Sequence, residues 1–411
     1  MEFHEAVLPN GLEIVAECNP RAYSTAVGFF VKTGARDESN ELSGVSHFLE
    51  HMVFKGTHRR SAEEVNRQLD ELGSHANAYT SEEQTVYHAT VLPEYAEQTI
   101  ELLADILRPA LRAEDFEMEK KVILEEIARD RDQPPYGGFE KAVAMHFATH
   151  PLGKSVLGSE QSVAALTPQQ MLGYFENRYS PGNIVLSAAG KIQFEDLCEY
   201  AKKYCGHWQS SKTTRELVRP RNRAVTDFLL KESSTQSYVL RLADAPAVED
   251  DSRFASRLLA MILGDDSGSR YFWEFVDSGL AESVMMANYE YQLGGMYLTY
   301  VAGRPEDAGS ILERVAEMEL EIERDGVSDD ELERAKTKVC SNLVLHGERP
   351  ARRMFSIGGQ WIQRREYRTI RQAVDEYQSV TLEEINSLLK EFPLHNASTL
   401  IIGPESARPK S

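Results

Sequence analysis

Short apolar runs separated by turn residues open the chain. Glu5–Leu8 and Leu12–Ala16 flank Pro9-Asn10-Gly11, which predicts a hairpin, and Ala26–Lys32, rich in Val and Phe, predicts a further strand. The spacing then becomes helical around Val45, Leu49, Met52 and Val53. Ser61-Ala62-Glu63-Glu64 is a capping box that opens a helix to Leu72. Strand-like stretches follow around Asn77–Tyr79 and Thr85–Val91. Helices are predicted from Pro93 to about Leu107 and from about Ala113 to Asp132, and a closing strand at Val185–Ala189. The second half repeats this order, with a strand at Tyr238–Leu242, helices from about Ser252, strands near Met296–Val301, and then helices. One of the last opens at the capping box Ser328-Asp329-Asp330-Glu331. Meander-like strand pairs with helices grouped after them predict an α+β fold rather than alternating βαβ units. Between about His207 and Val225 the pattern lapses into a charged, loop-like stretch. A chain of 411 residues fits two domains of about 200 residues each, so the expected division is 1–208, a linker 209–225, and 226–411.

The first helix carries chemistry. Residues 47–51 read His47-Phe48-Leu49-Glu50-His51, a zinc-peptidase helix motif in inverted order. At about 100° per residue, Glu50 lies about −60° and His51 about +40° from His47, so all three side chains share one face. Two imidazoles at i and i+4 can grip one Zn²⁺ with the carboxylate beside them as general base. Because the helix is otherwise apolar, these groups are expected to be buried and to need partners, which a metal would supply.

Zinc requires a third protein ligand and an open position for water. The helix from about Ala113 offers Glu125 and Glu126. Glu125 has Lys121 before it and Arg129 after it at four-residue spacing, the pattern of a solvated ion pair. Glu126 follows Val122 and Ile123 on the packed side, and Glu119 returns to that side. Glu126 is therefore assigned as the third ligand, and Glu119 as the acid that orients a ligand imidazole.

With these residues the chain resembles the M16 metallopeptidases, the pitrilysin and mitochondrial-processing-peptidase group. That family carries His-x-x-Glu-His, a distant Glu and an acid seven residues before it. Here 74 residues lie between His51 and Glu126, and Glu119 occupies the acid's place. Asn77-Ala78-Tyr79-Thr80-Ser81, His150-Pro151-Leu152-Gly153 with Gly158, Tyr179-Ser180-Pro181-Gly182-Asn183, Ser269-Arg270, Glu333-Arg334-Ala335-Lys336 and Glu348-Arg349-Pro350 add to the resemblance. It is dense to about residue 190 and thinner beyond. It implies two duplicated α+β halves, each a mainly antiparallel sheet packed with helices, a general architecture shared with the S-ribosylhomocysteine lyases. The first domain would be catalytic, with one Zn²⁺ per chain, and the second homologous but without a metal site. It also implies a peptide substrate that pairs with an edge strand at Asn77 and Ala78, and a homodimer or a heterodimer with a paralogue. Active members carry an Arg and, seven residues later, a Tyr in the second domain. Here Phe275 and Glu282 stand at those positions.

Composition removes other classes. A net charge of −20 argues against nucleic acid and anionic membranes as partners. No apolar run approaches the roughly 18 residues of a membrane helix, so no membrane insertion is expected. The first residues, Met1 to Val7, resemble neither a signal nor a transit peptide, so a cytoplasmic location is expected. Cys18, Cys198, Cys205 and Cys340 lack ligand spacing and are read as reduced thiols. His146 and His150 share i,i+4 spacing, but Pro151 follows, and they are not assigned to metal. His75 and His88 fall in strand-like segments and are read as ordinary. His346 and His395 are isolated, and Gly358-Gly359 is read as a turn. Two rivals remain: a non-catalytic assembly subunit of the same fold, against which His47, Glu50, His51 and Glu126 argue, and a small metal lyase, against which the length argues.

Overall fold

The computed structural model of the protein describes residues 1–409. In its first half the elements run β1 (Glu2–Val7), β2 (Glu13–Cys18), β3 (Thr25–Val31), α1 (Val45–Val53), α2 (Ala62–Glu71), β4 (His75–Thr80), β5 (Thr85–Val91), α3 (Ala96–Ile106), α4 (Ala113–Asp132), α5 (Gly138–Phe147), α6 (Glu160–Ala165), α7 (Pro168–Arg178), β6 (Ile184–Gly190) and α8 (Phe194–Cys205). The second half continues with β7 (Thr226–Leu230), β8 (Ser237–Asp244), α9 (Arg253–Gly264), β9 (Ala281–Tyr291), β10 (Gly294–Gly303), α10 (Ala308–Asp325), α11 (Asp329–Gly347), α12 (Pro350–Arg364), α13 (Ile370–Ser379), α14 (Leu382–Glu391) and β11 (Ser398–Gly403).

Two compact units form. The first gathers Met1–Ala128, Lys154–Glu216 and Val344–Arg368; the second gathers Arg129–Gly153, Leu217–Leu343 and Thr369–Ser411. In the first unit a six-stranded sheet is ordered β1-β2-β6-β3-β5-β4. β2 and β6 are parallel and every other pair is antiparallel. Both faces of its central strands are covered, which is why β3 reads Thr-Ala-Val-Gly-Phe-Phe-Val without a polar side. Val27, Phe29 and Val31 point into the main core with α1, α3 and α8, whereas Ala26 and Phe30 join Met354 and Ile362 of α12 on the opposite face.

The second unit has a five-stranded sheet, ordered β7-β11-β8-β10-β9. It repeats the first sheet without β1. β7 and β11 are parallel, as β2 and β6 are, and β11-β8-β10-β9 follow antiparallel as β6-β3-β5-β4 do. This is the duplicated α+β architecture. The edge strand β9 was not foreseen, because most of it is polar or half-buried. Ala142, Val143 and Phe147 of α5 pack with Leu240, Leu242, Leu400 and Ile402 on one face of this sheet. α5 thus belongs to the second unit and α12 to the first. No helix among the described residues is long and apolar enough to cross a membrane, and all four cysteines are free thiols.

Three local features depart from the pattern-based reading. Gly358-Gly359 is not a turn but lies inside α12. A Cβ on Gly358 would stand 2.4 Å from the Phe30 ring, so glycine there lets the helix approach the sheet. His146 lies within α5, and its side chain is buried 3.2 Å from the Asp244 carboxylate. The charged stretch after His207 has neither helix nor strand, yet the side chain of Arg215 is covered and grips Asp37 at 2.8 and 2.6 Å.

α12 is tied to β2 by polar contacts. Arg353 makes a two-pronged pair with Glu17, one arm at 2.8 Å, and Tyr367 donates to the same carboxylate at 2.9 Å. Trp361 donates to Glu13 at 2.7 Å. Both Glu17 and Arg353 are buried, so removing one leaves the other uncompensated. Arg353→Ala is expected to cost about 3–5 kcal/mol, read as a lower denaturant midpoint. Replacing both residues by apolar ones should cost less than that single change.

Candidate metal centre

α1 is an amphipathic helix whose polar stripe is the site. Val45, Phe48, Leu49, Met52 and Val53 are buried in the main core, and Phe48 stacks on Phe116 of α4 with ring centroids 4.6 Å apart. Its entry is fixed by Glu38, whose two carboxylate oxygens accept from the amides of Gly44 and Ser46, each at 2.7 Å. These are orphan donors of a helix N-terminus. Burial pushes the Glu38 carboxyl up to about 8, against the pull of those amides. Gly44 sits at φ 93, in the left-handed region, to make the turn into the helix.

α4 meets α1 through Phe116, stacked on Phe48, and Glu119, bonded to His51. Phe116, Glu119, Ile123 and Ile127 form its buried stripe. Glu126 lies half-buried at the edge of that stripe, next to Ile123; Val122, expected on the packed side, is exposed, and so is Glu125, which makes no ion pair with Lys121. The two adjacent acids thus differ in burial, Glu125 exposed and Glu126 half-buried.

The donor atoms of His47, His51 and Glu126 all lie within 4.8 Å of one another. Glu126 Oε2 is 3.8 Å from His47 Nε2 and 3.8 Å from His51 Nε2. An ion about 2.1 Å from each donor needs spacings of roughly 3.4 Å, so a small inward movement closes the three on one zinc. The donor chemistry fits as well. Burial and the neighbouring His51 push His47 down to about 4, which keeps it the neutral imidazole that binds metals. Glu119 Oε1 meets His51 Nδ1 at 2.8 Å, turning Nε2 toward Glu126. His47 has no such partner: its Nδ1 is buried without a hydrogen bond.

Glu119 is itself held by Lys55, 2.5 Å from Oε2. Burial alone would raise Glu119, but Lys55 and His51 bring it below the usual carboxylate range. Glu50 projects from the same stripe and is raised by burial, an effect opposed chiefly by the hydroxyl of Thr80, which donates to Oε2 at 2.6 Å. Asn77 and Ala78 lie on β4, the edge strand of this sheet, where Asn77 Oδ1 accepts from the Ala78 amide at 2.9 Å.

Glu38, Lys55 and Thr80 were not singled out in sequence. Glu38 acts from a loop and carries no periodic signal. Lys55 directly follows the motif helix, and its charge opposite an acid was a usable clue. Thr80 ends the small-residue face Ala76, Ala78, Thr80, legible only once β4 is known to face α1.

The sequence profile "Insulinase (Peptidase family M16)" matches residues 13–160, and "Peptidase M16 inactive domain" matches 165–339. A protein of Mycobacterium tuberculosis named as an uncharacterized zinc protease is 31% identical over 409 residues, covering 98% of this chain and 93% of that one. The chain belongs to the M16 peptidase family. Another relative in Bacillus subtilis, also named as an uncharacterized zinc protease, is 30% identical, covering 97% of this chain and 98% of that one. The M16 fold is repeated in a protease structure from Helicobacter pylori, with a TM-score of 0.92 at 19% identity over 98% of this chain and 99% of the other. A Pseudomonas fluorescens structure titled peptidase M16 inactive domain also reaches 0.92, at 17% identity over the whole of both chains.

Glu126→Gln is expected to abolish high-affinity zinc retention in dialysis against a chelator, and Glu125→Gln to leave it unchanged. Glu119→Gln should weaken zinc affinity roughly 10- to 100-fold, the usual effect of removing an orienting partner.

Proposed function

We propose that this M16 protein is a zinc-dependent endopeptidase acting on peptides or unfolded segments, with zinc held by His47, His51 and Glu126. The observation that carries this reading is the convergence of those three donors, with the Glu50 carboxylate close enough to feel the charges of His51 and Glu126. The zinc-protease names of full-length relatives support the same cofactor and reaction class. When bound, zinc would lower the pKa of a water toward about 7 and polarise the carbonyl to be cleaved.

The chain's own groups do the rest. Glu50 takes a proton from the attacking water and returns it to the leaving amine. Thr80 engages one of its oxygens, leaving the other for the water. Lys55 and Glu119 fix His51 in the tautomer that presents Nε2. An extended peptide pairs its backbone along the free side of β4 at Asn77 and Ala78, the recognition mode open to an exposed edge strand. Glu50→Gln is expected to keep stoichiometric zinc and lose turnover of a quenched peptide, whereas His51→Ala should lose both. Near-normal turnover by Glu50→Gln would sink this mechanism.

A second reading concerns the complete enzyme. Phe275, at the position corresponding to the family's Arg, is fully buried in the core of the second unit. Glu282, at the position corresponding to the Tyr, is exposed and accepts from Gln236. Neither offers a donor to a developing oxyanion, and an ionised Glu would repel one. This supports a zinc-bearing subunit whose paralogous partner, lacking the histidine motif, supplies Arg and Tyr. The zinc-loaded chain alone is expected to cleave unstructured peptides feebly, with activity restored by such a paralogue. Robust turnover by the lone chain would favour a self-sufficient enzyme instead.

A further inference from the structure

Glu50 is half-buried, and the hydroxyl of Thr80 holds it. Thr80 Oγ1 donates to Glu50 Oε2 at 2.6 Å, in the short range of hydroxyl–carboxylate bonds. Of the two acceptors within reach of the Thr80 hydroxyl, Glu50 is much the nearer. The cross-strand neighbour Thr85 lies 3.4 Å away, hydroxyl to hydroxyl, and spends its own proton on the Thr33 carbonyl at 3.0 Å. Thr80 is also the last residue of β4, on the face it shares with Ala76 and Ala78. It is β-branched and sits in a strand, so its hydroxyl direction follows the backbone of β4 closely. β4 is an edge strand, paired with β5 on one side only. Whatever pairs with its free side acts on the backbone that carries Thr80.

We propose that Thr80 is a positioning residue that aims the Glu50 carboxylate and links peptide pairing along β4 to the general base. This rests on the reading of Glu50 as that base. The hydroxyl holds Oε2 so that Oε1 faces the attacking water. A peptide laid along β4 stiffens the strand and, through Thr80, fixes that aim. The role requires the hydroxyl and not merely the volume of the side chain, since a valine would fill the same space without donating.

Thr80→Val, Thr80→Ser and Glu50→Gln would be compared in the full-length chain, with any partner the activity requires, for zinc stoichiometry, melting temperature, kcat and KM on a quenched peptide. The metal-free Thr80→Val chain would also be crystallised. Thr80→Val is expected to keep its zinc, its melting temperature and its KM but to lose roughly a hundredfold in kcat, as for a displaced catalytic group. Thr80→Ser should recover most of that loss, and in the metal-free crystals of Thr80→Val the Glu50 side chain should leave its present position. Full kcat in Thr80→Val beside an inactive Glu50→Gln would overturn the positioning role alone, whereas an active Glu50→Gln would overturn the underlying reading of the base. Loss of zinc from Thr80→Val, failure of serine to rescue, or an unmoved Glu50 in the crystal would each also overturn the positioning role. If Thr80→Val does not fold, Thr80→Ala takes its place and the same comparison with Thr80→Ser decides.

Discussion

Three polar side chains on one buried helix set the terms for everything around them. α1 contributes Phe48, Leu49, Met52 and Val53 to the core, yet carries His47, Glu50 and His51 on its remaining face. Groups of this kind, removed from water, are costly unless each finds a partner. The fold meets that demand in layers. Glu38 satisfies the helix entry, Thr80 meets Glu50, and Glu119 with Lys55 meets His51. The stripe is left with Nε2 atoms of two imidazoles facing one carboxylate, an arrangement that a divalent cation completes.

Comparison of the halves shows what that demand costs. α9 follows β8 as α1 follows β3, but its sequence has neither histidine nor acid: Arg-Phe-Ala-Ser-Arg-Leu-Leu-Ala-Met-Ile-Leu-Gly. Where α1 needs a surrounding shell of partners, α9 packs against β9 with Leu258, Leu259, Ile262 and Leu263 buried, and its buried hydroxyl, Ser256, is settled by Tyr297 at 2.6 Å. The same scaffold therefore serves either as a metal site or as plain core, depending on whether one helix carries ligands and its neighbours carry partners for them.

Helix exchange between the halves is the other organising feature. α5 lies between α4 and β6 in sequence but completes the core of the second sheet, and α12 lies late in the chain but covers the first. The polar seam from α12 to β2, through Arg353, Trp361 and Tyr367, is specific in direction as well as contact, since each donor meets a glutamate on one strand.

Much of the site was legible in the sequence because its spacing is local. Three groups at i, i+3 and i+4 share a helix face whatever the rest of the chain does, and Glu119 and Glu126, two turns apart on another helix, must share one too. The hairpin at Pro9-Asn10-Gly11 and the capping boxes at Ser61 and Ser328 were readable for the same reason, since each is complete within a few residues. What the sequence could not supply were partners joined across long separations. Thr80 meets Glu50 from a strand whose facing is decided by sheet order, and Glu38 reaches the start of α1 from a loop. Gly358 looks like a turn residue until Phe30 is placed beneath it. Sequence by itself determined which polar groups are presented together, because helical period fixes which side chains share a face. Tertiary structure alone decided how those groups are held and which helix covers which sheet, because those contacts depend on the packing of elements far apart in the chain.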